Sequence, residues 1–221
     1  MFDWLQSLRD HSQLKKIQRQ FLEMLADGRH IFDASSNALI GGTDPEVIRE
    51  DLYTTDQRIN RTEQAIRREL VVHGSVHGGA HVPALLVLMS LVKDAERIGD
   101  YAKNIFELAL ARPELGTDAE RTALNECKDH VSKLLVRAAG LIESQDEQLA
   151  AAYLTESDKL QSLCDEQVGI LMVEKGRNVV AAALVYRYFK RVASHAGNVV
   201  TSIVMPLDKL DYYPGKPDRD Q

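Results

Sequence analysis

Glu96, Asp100, Asn104 and Glu107 follow one another at steps of four, four and three residues. On a helix turning about 100° per residue, they form one line along the axis. Leu91, Ile98, Ala102, Ile105 and Leu108 fall on the opposite side. Carboxylate and amide oxygens in such a ladder suit a hard cation such as magnesium, manganese or iron, or a basic partner. The same line describes a solvated face on which Arg97 and Lys103 make weak ion pairs. Because the ladder lies opposite the packing stripe, any site on it is expected at the surface and open to water.

The preceding helix adds a second row. Ile48, Leu52, Ile59, Ile66 and Leu70 make a tight apolar stripe, and Asp56, Asn60 and Glu63 run along its flank. A flank position beside a packed seam reaches the neighbouring helix, so Asp56 is expected to pair with a cation across it. Arg97 is the natural candidate there, and Arg191 is the candidate for Asp158.

Those rows need helices to carry them, and the punctuation of the chain supplies helices. The 221 residues are long enough to bury a sizeable core. Six prolines leave long stretches unbroken, and aliphatic residues recur at helical spacing, which predicts an all-α protein. The expected helices cover about 1–40, 45–72, 82–111, 117–144, 146–174 and 177–205. Gly41-Gly42-Thr43-Asp44-Pro45 stops one helix and starts the next. His73 to His81 holds three of the seven histidines among glycines and is expected to be a solvated interhelical loop. A His-rich tract can also bind metal. The tail from Tyr212 is expected to fray.

Composition narrows the classes. A net charge of −6 argues against a nucleic-acid binder, which needs clustered Lys and Arg. No apolar run reaches the roughly 18 residues of a membrane span, and no signal peptide is visible. The two cysteines, Cys127 and Cys164, have no metal-site spacing and are expected to be reduced thiols of a cytoplasmic protein. The apolar cluster Phe2, Trp4, Leu5 and Leu8 is expected to fold onto the bundle as a short helix. A docking patch for a membrane surface or a partner is the other reading.

The sixth helix repeats the third. At an offset of 94, Arg97 meets Arg191, Ala102 meets Ala196, Asn104 meets Asn198, Ile98 meets Val192 and Ile105 meets Val199. Asp56 and Asp158 match at an offset of 102. The chain therefore reads as two tandem three-helix-bundle repeats, residues 1–113 and 114–221. The repeats diverge in their acids: Glu96 becomes Lys190, Asp100 becomes Ser194 and Asn60 becomes Ser162. A metal held by the first ladder is not expected to bind the second copy through the same ligands.

Ala95-Glu96-Arg97-Ile98-Gly99-Asp100, followed by Ala102 and Asn104, resembles the signature helix of the PhoU family of phosphate-uptake regulators. Asp56-Gln57-Arg58-Ile59-Asn60 and Asp158-Lys159-Leu160 resemble that family's motifs on the helices preceding each signature. The resemblance runs from about residue 15 to 205 and implies a six-helix fold of two three-helix repeats. It also implies a cytoplasmic, often dimeric, negative regulator acting with a phosphate transporter and a sensor histidine kinase at the membrane. Some members bind iron or other divalent metals through acidic motifs. By matching position, Asp56, Glu96 and Asp100 take that role here, with Asn60 and Asn104 as helpers. An accessory subunit of a sodium–phosphate or other anion transporter is the alternative. A metal-dependent carboxylate-bundle enzyme fits poorly, because the ladder has no Glu-x-x-His motif and faces outward.

Overall fold

The computed structural model describes residues 12–212 apart from residue 78. Six α-helices carry it: α1 Ser12–Ile40, α2 Pro45–His77, α3 Val82–Leu110, α4 Asp118–Ser144, α5 Glu147–Met172 and α6 Val180–Val204. Short 3-10 turns occupy Gly79–His81 and Leu207–Lys209, and no strand occurs among the described residues. The all-α expectation of six long helices is met. The cluster Phe2, Trp4, Leu5 and Leu8 lies outside the described residues, as does the tail beyond Tyr212.

Local chemistry starts and stops these helices. Asp44 Oδ1 accepts from the backbone N–H of Glu46 at 3.2 Å, just before Pro45 opens α2. Thr117 and Glu120 cap each other reciprocally at the start of α4: the Glu120 N–H donates to Thr117 Oγ1, and the Thr117 N–H donates to Glu120 Oε2. Asp146 caps α5 by accepting from the Leu149 N–H at 2.9 Å. Gly42 and Gly176 sit at φ +81° and +87° in two of the turns, a conformation that costs other residues.

One boundary differs from the expectation. The segment after residue 72 continues as helix to His77. Gly74 lowers helix propensity, but its bare backbone lets α2 approach α3 closely: a Cβ there would lie 3.1 Å from Leu85 Cδ1. His73 is buried in the same seam. Tertiary contact overrides the local loop signal.

Helices α1, α2 and α3 pack on one another, and α6 packs on α4 and α5. The α3–α6 contact joins the two sets, with α1 also lying against α4. Leu91, Ala95, Ile98, Ala102 and Ile105 on α3 are sealed from solvent, as are Val192, Ala193, Ala196 and Val199 on α6. These are the matched apolar faces of the repeat. Gly99 explains the small residue inside the acidic ladder: its Cβ would meet Ile59 Cδ1 at 3.1 Å, so α2 and α3 close tightly where their acids face each other.

Candidate functional site

Close approach of α2 and α3 gathers the acids from both helices. Asp56 is buried, and its carboxylate accepts from Lys103 Nζ at 3.3 and 3.4 Å. Lys103 also lies 3.9 Å from Asp100, so one ammonium bridges the rows on α2 and α3. Arg97 lies beside its own neighbours, 3.4 Å from Asp100 and 3.8 Å from Glu96. The expected Arg97–Asp56 pair is therefore replaced by Lys103–Asp56, because Arg97 turns to the exposed side of α3. No ion pair joins Arg191 to Asp158 among the described residues either. Asn60 and Asn104 are half-buried on the same two helices.

The ladder is less open than its helical phase suggests. The Glu96 side chain keeps only 18% of its accessible surface and that of Asp100 31%. Glu63 on α2 keeps 13% and is paired with Arg67 at 2.8 Å. Burial, reinforced by the charges of Asp100 and Glu63, raises the Glu96 carboxyl to about 7, against the opposing pull of Arg97. Glu63 thus belongs to the cluster, although its position on the flank of α2 did not single it out.

This shift has a definite sign. The unfolded Glu96 titrates at an ordinary 4.5, so between there and about 7 the folded protein holds a proton that the unfolded chain has lost. Stability falls as pH rises through that window. Glu96→Gln is expected to match the parent at pH 4 and to exceed it at pH 8. Urea denaturation across this range checks it; equal pH profiles would remove the burial argument.

The second repeat resolves the same contact differently. Lys190 and Asp165 are the counterparts of Glu96 and Glu63, at the offsets of 94 and 102 already fixed by the repeat. Lys190 is buried and its ammonium donates to both carboxylate oxygens of Asp165. Where the first repeat sets acid against acid, the second sets ammonium against acid. Those two offsets are the signal in the sequence from which Glu63 could be found, by matching it to Asp165.

Oxygen donors clustered around a half-buried carboxyl have the chemistry of a hard-cation site, although Arg67, Arg97 and Lys103 already offset part of their charge. As they stand, no three His, Cys, Asp or Glu side chains among the described residues are placed to hold a metal ion. Occupation of Glu96, Asp100 and Glu63 therefore requires side-chain rotation, with Glu63 leaving Arg67.

A second polar cluster lies between the repeats. Asp94 on α3 is 1% exposed; its Oδ1 accepts from His195 Nδ1 at 2.7 Å and from Asn198 Nδ2 at 3.1 Å, both on α6. Its Oδ2 has no partner among the described residues. The Tyr101 ring stacks on His195 at 5.6 Å and lies 6.0 Å from Tyr188. At the repeat offset, Asp94 corresponds to Tyr188 and Tyr101 to His195. The pseudo-twofold between the repeats therefore carries the Asp94–His195 pair onto the Tyr188–Tyr101 pair.

The family model of the PhoU domain matches residues 21–109, which takes in most of α1, all of α2 and all but the last residue of α3. A phosphate-specific transport system accessory protein PhoU homolog from Synechocystis sp. is 26% identical over 203 residues, covering 86% of this chain and 87% of its own. The crystal structure of PhoU from Pseudomonas aeruginosa superposes with a TM-score of 0.75 at 22% identity, covering 87% of this chain and 96% of that one. The phosphate transport system regulatory protein PhoU from Streptococcus pneumoniae gives 0.69 at 17% identity, covering 91% and 95%.

Proposed function

We propose that the chain is a PhoU-type regulatory accessory protein of phosphate transport, working through protein contacts rather than catalysis. The observation that carries this reading is the family match over 21–109, which includes the α3 segment Ala95–Asp100 and the α2 segment Asp56–Asn60. The agreement in fold over both repeats supports it. In this reading the protein is a cytoplasmic homodimer and restrains uptake by meeting a membrane-borne phosphate transporter, a sensor histidine kinase or both. No helix among the described residues is long and apolar enough to cross a membrane.

The cation belongs to the first repeat alone. Glu96 and Asp100 would hold it, with Glu63 or Asp56 turning in and Asn60 or Asn104 adding an amide oxygen. A bound divalent ion would supply the positive charge that Lys190 supplies in the second repeat. Its role is to stiffen the α2–α3 face and to expel the proton held by Glu96, so affinity rises with pH up to about 7.

Deletion of the protein from its host is expected to raise phosphate uptake or to activate the phosphate-starvation response, measured by labelled phosphate uptake and a starvation reporter. Unchanged uptake and reporter would overturn the regulatory reading. The Glu96→Ala, Asp100→Ala double variant is expected to lose manganese or iron taken up by the purified protein, measured by elemental analysis after dialysis. Equal metal content in parent and variant would remove these residues as ligands.

A further inference from the structure

The histidines at the α2–α3 hairpin lie away from the acidic ladder, and the regulatory reading makes no use of them. His73 is buried, with His81 half-buried beside it in the turn that leads into α3. His73 Nε2 lies 2.9 Å from His81 Nδ1, while His73 Nδ1 lies 3.3 Å from Gln13 Oε1 on α1. An amide oxygen only accepts, so His73 carries its proton on Nδ1 and turns the Nε2 lone pair toward His81. An imidazole with one N–H given to an oxygen acceptor and the other nitrogen aimed at a second imidazole is oriented as a metal-ligating histidine is.

We propose that His73 and His81 form a binding site for a borderline divalent ion such as zinc, clamping the α2–α3 hairpin independently of the carboxylates on α2 and α3. Two nitrogens about 2.0–2.1 Å from one tetrahedral ion stand about 3.3 Å apart, so the pair opens by a few tenths of an ångström while both rings turn to aim their lone pairs off the N–N line at the ion. In the empty pair the His81 Nδ1 proton bridges the gap. Moving that proton to His81 Nε2 turns both lone pairs on the ion, with no net proton released. His77, one turn along α2 from His73, stacks on its ring at 4.2 Å and donates from Nδ1 to the His73 carbonyl at 3.2 Å. It orders the pair without being a ligand. His73 and His81 supply two nitrogen ligands of the four that a tetrahedral ion takes. Imidazole donors favour zinc, nickel and copper over magnesium, which separates this site chemically from the oxygen ladder.

The test titrates the full chain with zinc chloride by isothermal calorimetry, beside His81→Gln, His73→Gln, His77→Ala and the Glu96→Ala, Asp100→Ala double variant. One equivalent of zinc is expected in the parent, the His77 variant and the double variant, with affinity lowered at least about tenfold in His81→Gln and His73→Gln. His81→Gln alters a half-buried turn residue, so it decides the matter even if His73→Gln fails to fold. Absence of zinc binding in the parent, or unchanged binding in His81→Gln, overturns the proposal. Loss of zinc in the double variant with retention in His81→Gln overturns it as well, by assigning the ion to the acids. Manganese binding lost in the double variant while zinc is kept supports both sites separately.

Discussion

Replacing His195 with alanine should remove about 3–5 kcal/mol of stability, because it leaves a buried carboxylate without its main partner. Asp94 is 1% exposed and already carries one oxygen with no partner among the described residues. With His195 gone, only the Asn198 amide, at 3.1 Å, would still donate to it. For a chain of this size, a loss of that order lowers the melting temperature by roughly 6–20 °C. The charge is the cause, so the cost of His195→Ala should shrink by about 1–3 kcal/mol when Asp94→Asn is present beforehand. A double-mutant cycle in urea measures this. Additive losses, or a His195→Ala cost under about 1 kcal/mol, would show that the pair contributes little beyond packing.

The second large effect is expected at the counterpart of Glu96. Lys190→Glu would set a carboxylate against Asp165 in a seam where the lysine side chain keeps 9% of its surface. Arg187, at 3.9 Å from Asp165, is too distant and too exposed to compensate. Asp165 itself keeps 36% of its surface, so water screens part of the repulsion and a loss of about 1–3 kcal/mol is expected. The informative part is the recovery. The substitution rebuilds in the second repeat only the acid-on-acid contact of the first, Ser194 standing where Asp100 does, so millimolar manganese should restore part of the lost stability by mass action. Thermal melts with and without manganese, in a Glu96→Ala, Asp100→Ala background that silences the first repeat, isolate this gain. A melting temperature insensitive to manganese in that background would refute the equivalence of ammonium and ion.

These two sites differ in how far the sequence exposes them. Helical phase alone places Ile98, Ala102 and Ile105 in the core and Glu96 and Asp100 off it, and the burial of the three apolar residues agrees. The offset of 94 by itself aligns the α3 and α6 core faces. Phase does not report how deeply a flank is covered by the next helix. Glu96 is therefore half-buried rather than open, and the reason is the close approach of α2 permitted by Gly99. Nor does phase choose among cations that all reach the same acid: Lys103 takes Asp56, and Arg97 stays on its own helix. The Asp94–His195 bond joins residues 101 positions apart and follows only from how the repeats dock. The His73–His81 contact was hidden for a different reason. Glycines around a polar tract favour a loop locally, and burial of His73 against the neighbouring helix reverses that preference.

The exchange of residues across the α3–α6 seam also governs which halves can recognise each other. If two first repeats met through their α3 faces, Asp94 would confront Tyr101 of the other copy twice over, and neither carboxylate would find an imidazole. Two second repeats would set Tyr188 against His195 in both places, again with no acid present. Only the unlike combination supplies one acid to one imidazole and one tyrosine to another. The seam is thus complementary between unlike halves, through the four differing residues Asp94, Tyr101, Tyr188 and His195.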